Sequence, residues 1–97
     1  MATNQTSVGA DLWLALQQFF QLFPDLRSRD FYVTGESYAG KYVPACAYTI
    51  HMRNQRATDP KDIINLKGIS IGDGAFNPEK QLSGGYAELL YLSLIHI

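Results

Sequence analysis

The chain has 97 residues, 46% of them apolar, and eight Lys and Arg against nine Asp and Glu give a formal net charge of -1. This length bounds the protein to one domain or less, and the mixed, nearly neutral charge argues against nucleic acid and anionic membranes as partners. One cysteine excludes an internal disulfide, and two isolated histidines with scattered carboxylates do not have metal-ligand spacing.

The N-terminal third predicts an amphipathic helix. Before it, the first residues lack the basic start and apolar stretch of a signal peptide, and no apolar run in the chain is long enough to span a membrane. We expect Thr6 or Ser7 to be the N-cap, and we expect the helix to end at Phe23 because Pro24 disfavours helical geometry in the residue before it. Apolar residues recur at steps of three and four at Val8, Leu12, Leu16, Phe19, Phe20 and Phe23.

A strand, a tight turn and a second helix follow. The aromatic and β-branched run from Phe31 to Thr34 predicts a strand, and residues 35–40, GESYAG, predict a turn of small residues. Helical spacing then continues from Lys41 to about Met52. After a polar connection over residues 53–62, a second strand is predicted by Ile64, Leu66, Ile69 and Ile71.

Two strands separated by a helix of this length predict a parallel pair, the unit of an α/β fold. Parallel strands are covered on both faces and need neighbours that 97 residues do not supply, so we expect the middle of a larger sheet. A loop over residues 75–81 and a helix over residues 82–92, carrying Tyr86, Leu89 and Leu90, complete the plan. Residues 93–97, SLIHI, are interpreted as a truncated or non-native end.

Ser37 stands at the apex of the turn between the first strand and its helix, which is the context of a nucleophile elbow. Such a turn strains the serine backbone and needs small residues two before and two after it, here Gly35 and Ala39, with Gly40 next to them. The usual pattern GxSxG has glycine where Ala39 stands. Taken alone, these residues also fit an ordinary strand-to-helix turn with a capping serine.

A longer string distinguishes these interpretations. Residues 35–44, GESYAGKYVP, match the active-site serine signature of the serine carboxypeptidase family. The stretches QQFFQLFP, DFYVTGESYAGKYVPA, NLKGISIGDG and GGYAE resemble the vitellogenic-like branch of that family, and the resemblance covers all but the last few residues. It implies that residues 1–97 are part of an α/β-hydrolase domain.

The resemblance also implies roles for three consecutive residues. Ser37 would be the acylating nucleophile, and the backbone N–H of Tyr38 would be one donor of the oxyanion hole. Glu36, protonated at an acidic working pH, would hydrogen-bond the free carboxylate of the substrate, the C-terminus of a peptide or protein. No cofactor is implied, because nucleophile, base and oxyanion hole suffice for acyl transfer.

By the same resemblance, the histidine and aspartate of the triad lie beyond the last residue of this chain. The 97 residues alone are therefore expected to be inactive. The family resemblance implies a lysosomal, vacuolar or secreted protein, which gives meaning to the N-glycosylation sequon at Asn4. The sequence does not indicate an oligomeric state or the preferred C-terminal residue.

Other functions and other residues are alternatives to this interpretation. An acyltransferase on the same scaffold would share the GESYAG motif. A truncated, inactive member of the family would only bind peptides or have no function. A lipase or esterase fits the KYVP continuation less well. His51 is expected on the surface, about 20 Å from Ser37 along the helix. His96 lies in the suspect terminal stretch, Asp73 is expected to be a turn residue rather than a catalytic acid, and Cys46 a small buried residue.

Overall fold

A computed structural model of the chain describes residues 4–83, 88, 91 and 92. The elements in chain order are α1 (Gln5–Leu22), β1 (Phe31–Glu36), α2 (Ala39–Arg56), β2 (Leu66–Gly72) and α3 (Pro78–Leu82), with 3-10 turns at Pro24–Leu26 and Pro60–Asp62. This succession of helix, strand, helix and strand confirms the predicted α/β plan.

Helix α1 begins at a different cap from the predicted one. Asn4 is the N-cap: its side-chain oxygen accepts a hydrogen bond from the Ser7 N–H at 2.9 Å, and the Ser7 hydroxyl accepts one from the Asn4 N–H at 3.2 Å. Thr6 and Ser7 therefore lie in the first turn, and the prediction that one of them is the cap was wrong. The reciprocal pair satisfies two backbone donors, which a cap farther along would leave unpaired. The other end, at Phe23 before Pro24, is as predicted.

The two strands are parallel, with partners running from Phe31 and Leu66 to Glu36 and Gly72. This pairing confirms the predicted parallel arrangement. Strand β1 is longer than predicted, because Gly35 and Glu36 still pair with β2. The turn that follows is correspondingly shorter than the six residues expected from the sequence.

The helices also differ from the predicted boundaries. Helix α2 extends to Arg56, four residues beyond the predicted end. Residues 78–82, predicted to be mostly loop, form α3, because Pro78 stands in the first turn and the Asn77 side chain accepts from the Lys80 N–H at 3.3 Å. Of the helix predicted over residues 82–92, Glu88, Tyr91 and Leu92 are described and are helical; Tyr86, Leu89 and Leu90 lie outside the described residues.

The core joins α1, α2 and the sheet around three buried side chains, Phe20, Ile50 and Ile64. In contrast, Tyr32 and Ile69 on the strands are 57% and 51% exposed. Exposed apolar side chains on parallel strands are typical of a sheet whose neighbouring elements are absent. No helix in the described part of the chain is long and apolar enough to cross a membrane.

Candidate active site

The connection from β1 to α2 consists of only two residues, Ser37 and Tyr38. Ser37 has a φ of 58°, in the left-handed region that costs an L-residue roughly 1–2 kcal/mol. Its neighbours fold regularly on either side, since Glu36 is paired in the sheet and α2 begins at Ala39. The strained serine is thus exposed at the carboxyl end of the strand.

Small residues around the turn have a steric reason. A Cβ atom added to Gly35 would lie 2.4 Å from the Ala39 Cβ and 3.1 Å from a methyl carbon of Val43. Carbon atoms pack at about 3.5–4.0 Å, so neither a side chain at position 35 nor a larger one at position 39 fits between β1 and α2. The turn is as short as it is because these two residues let strand and helix approach closely.

The backbone of Ser37 is held on both sides, by the last residue of β2 and by the segment that follows it. Its N–H donates to the Gly72 carbonyl oxygen at 2.9 Å, and its carbonyl oxygen accepts from the N–H groups of Ala75 at 2.9 Å and Gly40 at 3.0 Å. Gly40 is buried under this segment, and a Cβ there would lie 2.6 Å from the Ala75 nitrogen. These contacts keep the serine in its left-handed conformation.

Glu36 and Tyr38 flank the serine on the same edge of the sheet. Glu36 is exposed, with its Cγ 3.8 Å from the position that a Cβ would take on Gly72. Tyr38 occupies the N-cap position of α2, and no hydrogen bond between described residues uses its N–H. The N-terminus of an 18-residue helix favours negative charge nearby, so this N–H is suited to an oxyanion.

The remaining candidate residues lie elsewhere or have other roles. His51 is exposed on α2 and shares a 3.0 Å hydrogen bond with Gln55. At a rise of about 1.5 Å per residue it lies roughly 20 Å along the helix from Ser37. Asp73 is exposed with a φ of 45°, a turn conformation that Asp and Asn tolerate better than most residues. Asn4 caps α1, away from this turn, and His96 is outside the described residues.

Cys46 is buried on α2, and burial raises the pKa of its thiol above the ordinary value of 9.0. A buried thiol of this kind is a poor nucleophile, because only the thiolate reacts readily. Within the described ranges, no group of three or more His, Cys, Asp or Glu side chains is placed to hold a metal ion.

A cavity of about 410 Å³ lies beside Tyr38. The sequence did not predict this cavity, because three of its eight lining residues come from α3, most of which was predicted to be a loop. The Asn-Pro pair that starts α3 was the available signal. A second cavity, of about 340 Å³, lies between α1 and α2 and is lined by none of the residues of the turn. The first cavity is lined by Tyr38, Lys41, Asp73, Gly74, Ala75, Pro78, Gln81 and Leu82.

Comparison with known proteins gives a consistent result. The model of the serine carboxypeptidase family matches residues 1–96. The chain is 59% identical over 90 residues to a "Probable serine carboxypeptidase CPVL" of Pongo abelii, and the aligned region covers 93% of this chain and 18% of that protein. It is 48% identical over 97 residues to the "Vitellogenic carboxypeptidase" of Aedes aegypti, covering 99% of this chain and 19% of that protein.

Among solved structures, the chain is similar to a prohormone-processing carboxypeptidase from Saccharomyces cerevisiae. The TM-score is 0.71 at 35% identity, and the match covers 78% of this chain and 16% of the yeast chain. The chain therefore corresponds to less than a fifth of the length of each of these three proteins, 18%, 19% and 16% respectively.

Proposed function

We propose that this chain, which belongs to the serine carboxypeptidase family, carries the nucleophile of a longer enzyme that removes C-terminal residues from peptides through an acyl-enzyme on Ser37. The observation that supports this most directly is the φ of 58° at Ser37, between a paired strand and the helix that follows. Since the chain spans 18% of the first relatives, the activity is proposed for the longer protein.

The proposed reaction follows from the geometry of the turn. The Ser37 oxygen attacks the last peptide carbonyl and gives its proton to a base, while the Tyr38 N–H stabilises the negative oxygen of the intermediate. The C–N bond then breaks, the amine leaves with that proton, and water releases the acyl group. His51 is too far along α2 to be the base, so we assign the base and its acid to parts of the longer protein outside these residues.

Glu36 gives the proposed enzyme its preference for a chain end. A carboxylic acid that keeps its proton at acidic pH can donate to the terminal carboxylate of a substrate, whereas an internal peptide bond offers no such partner. Glu36 is exposed beside Ser37, as this contact requires. The cavity beside Tyr38 provides space for the substrate on the other side of the serine.

Turnover by the full-length protein tests the proposal. The purified enzyme is incubated at about pH 5 with a blocked dipeptide, beside Ser37→Ala and the isolated 97 residues. We expect the wild type alone to release the C-terminal amino acid. Equal release by Ser37→Ala would refute the nucleophile assignment, and transfer of the acyl group to an added alcohol in preference to water would favour the acyltransferase.

We also propose that the protein enters the secretory route, towards a lysosome, a vacuole or the outside, and carries a glycan on Asn4. The Asn4 side chain caps α1 through its oxygen, so its nitrogen is not needed for the cap. When the protein is expressed in secretory cells, Asn4→Asp and Thr6→Ala should each keep the cap of α1 but lose the glycan. Ser7→Ala keeps the sequon and should keep the glycan. Enzymatic deglycosylation should reduce the mass of the wild type and Ser7→Ala only. An unchanged wild-type mass would exclude the glycan.

A further inference from the structure

Residues 73–76, here named the bracing loop, connect β2 to α3 and lie against the turn at Ser37. The Ala75 N–H donates to the Ser37 carbonyl oxygen at 2.9 Å. Gly40 is so close to the loop that the three atoms nearest to an added Cβ would be backbone atoms of Gly74 and Ala75, 2.6–2.9 Å away. The position of the loop therefore decides whether the serine backbone is held in its strained conformation.

Two side chains hold the bracing loop by its own carbonyl groups. The Lys41 ammonium, in the first turn of α2, donates to the Phe76 carbonyl oxygen. The Gln81 amide, on α3, donates to the Gly74 carbonyl oxygen at 2.8 Å while its oxygen accepts from the Asn77 N–H at 2.9 Å. The two contacts lie on either side of Ala75, the residue that bonds Ser37.

We propose that Lys41 is a positioning residue, which fixes the bracing loop so that the Ala75 N–H keeps Ser37 in the left-handed conformation needed for attack. The inference rests on the proposed function of Ser37. Lys41 lies four residues after the nucleophile, in the first turn of α2, so it joins this helix and the loop directly across the turn. Without this contact, the loop carbonyl loses a charged donor and the loop can move away from Ser37.

A positioning role differs from a substrate-binding role in its kinetics. Lys41 also lines the cavity beside Tyr38, where its charge would be available to a bound substrate. If Lys41 bound the substrate in the ground state, its loss would raise KM and leave kcat unchanged. A misplaced nucleophile lowers kcat instead, since small displacements of reacting groups are costly.

The test uses the full-length protein with three variants. Lys41→Met removes the donor but keeps the length of the side chain, Lys41→Arg restores a charged donor, and Lys61→Met, on the exposed 3-10 turn, is the matched control. We expect Lys41→Met to lower kcat about tenfold with KM within about twofold, Lys41→Arg to recover most of the loss, and Lys61→Met to resemble the wild type.

Hydrogen exchange provides a readout that does not depend on turnover. Lys41→Met should make the Ala75 amide exchange about tenfold faster, because its hydrogen bond to Ser37 opens more often, while the Val33 amide in β1 exchanges as before. If the wild type has no carboxypeptidase activity, the proposed function fails and this exchange still decides the role of Lys41. Unchanged exchange at Ala75, or a rise in KM alone, would overturn the inference.

Gln81 offers an independent check on the same loop. Gln81→Glu keeps the oxygen that accepts from Asn77 but replaces the donor to Gly74 with an acceptor. We expect faster exchange at Ala75 and a lower kcat, in the same direction as Lys41→Met. An effect of Lys41→Met without any effect of Gln81→Glu would confine the bracing to the Phe76 carbonyl, and the absence of both effects would refute it.

Discussion

Gly40→Ala separates the intrinsic preference of a helix from the contacts of this turn. In an exposed helix, alanine is favoured over glycine by about 1 kcal/mol. At position 40 the new methyl group would lie 2.6 Å from the Ala75 nitrogen and 2.9 Å from two backbone carbonyl carbons, those of Gly74 and Ala75. A rotamer change cannot relieve contacts with backbone, so the bracing loop must move by about 1 Å to reach ordinary packing distance.

That displacement has an energetic cost larger than the helical gain. Moving Ala75 by about 1 Å lengthens its 2.9 Å bond to Ser37 beyond hydrogen-bond range, which costs about 1 kcal/mol, and overpacking adds about 1–3 kcal/mol. After the helical gain of about 1 kcal/mol is subtracted, we expect Gly40→Ala to lower the free energy of unfolding by about 1–3 kcal/mol. Activity should fall as well, because Ser37 loses its brace.

Urea unfolding of the full-length protein measures this effect. The matched control is Gly68→Ala on β2, where the nearest described atom would lie 3.5 Å from the new Cβ, an ordinary contact. We expect Gly68→Ala to change stability by less than about 1 kcal/mol. If Gly40→Ala proved as stable as the wild type or more stable, the close approach of the bracing loop to α2 would be refuted.

Three further predictions concern titratable groups. Asp73→Gly should leave the free energy of unfolding within about 1 kcal/mol of the wild type and turnover within about tenfold, whereas Asp73→Val should lower the free energy of unfolding by about 2 kcal/mol because β-branched residues disfavour a positive φ. Loss of all turnover in Asp73→Gly would make Asp73 the catalytic acid. Glu36→Gln keeps a hydrogen-bond donor of the same length, so KM for the peptide should stay within about threefold of the wild type, whereas Glu36→Ala should raise it about tenfold; an unchanged KM in Glu36→Ala would contradict the carboxylate contact. Burial raises the pKa of the Cys46 thiol in the folded state above 9.0. The contribution of the neutral thiol to the free energy of unfolding is therefore complete below pH 9.0 and is lost as the pH rises above that value. Native Cys46 should resist iodoacetamide up to that pH and react at once in urea, and fast native alkylation at neutral pH would contradict its burial.

The turn at Ser37 was predictable because its determinants are local. Strand, small residues and helix follow one another within a few positions, and the contact between Gly35 and Ala39 links residues four apart. The parallel pairing also followed from the order of elements. These features depend on spacing that is visible along the chain.

The cap of α1 and the surroundings of Ser37 were harder to predict, for different reasons. Several adjacent residues at the start of α1 are good caps, and only the reciprocal bonds of Asn4 and Ser7 select one. The bond from Lys41 to Phe76 joins residues 35 positions apart, so nothing in the local pattern indicates it. The bracing loop was therefore absent from the predicted site.

Covalent labelling tests the central claim, that Ser37 is a nucleophile, most directly. The full-length protein is treated with a fluorophosphonate, digested and mapped by mass spectrometry, with a urea-unfolded sample as the control for nonspecific reaction. A nucleophilic role for Ser37 predicts a single phosphonyl adduct on this residue in the folded protein and none after unfolding. An adduct on another serine of the folded protein, or a folded protein that does not react at all, would contradict it.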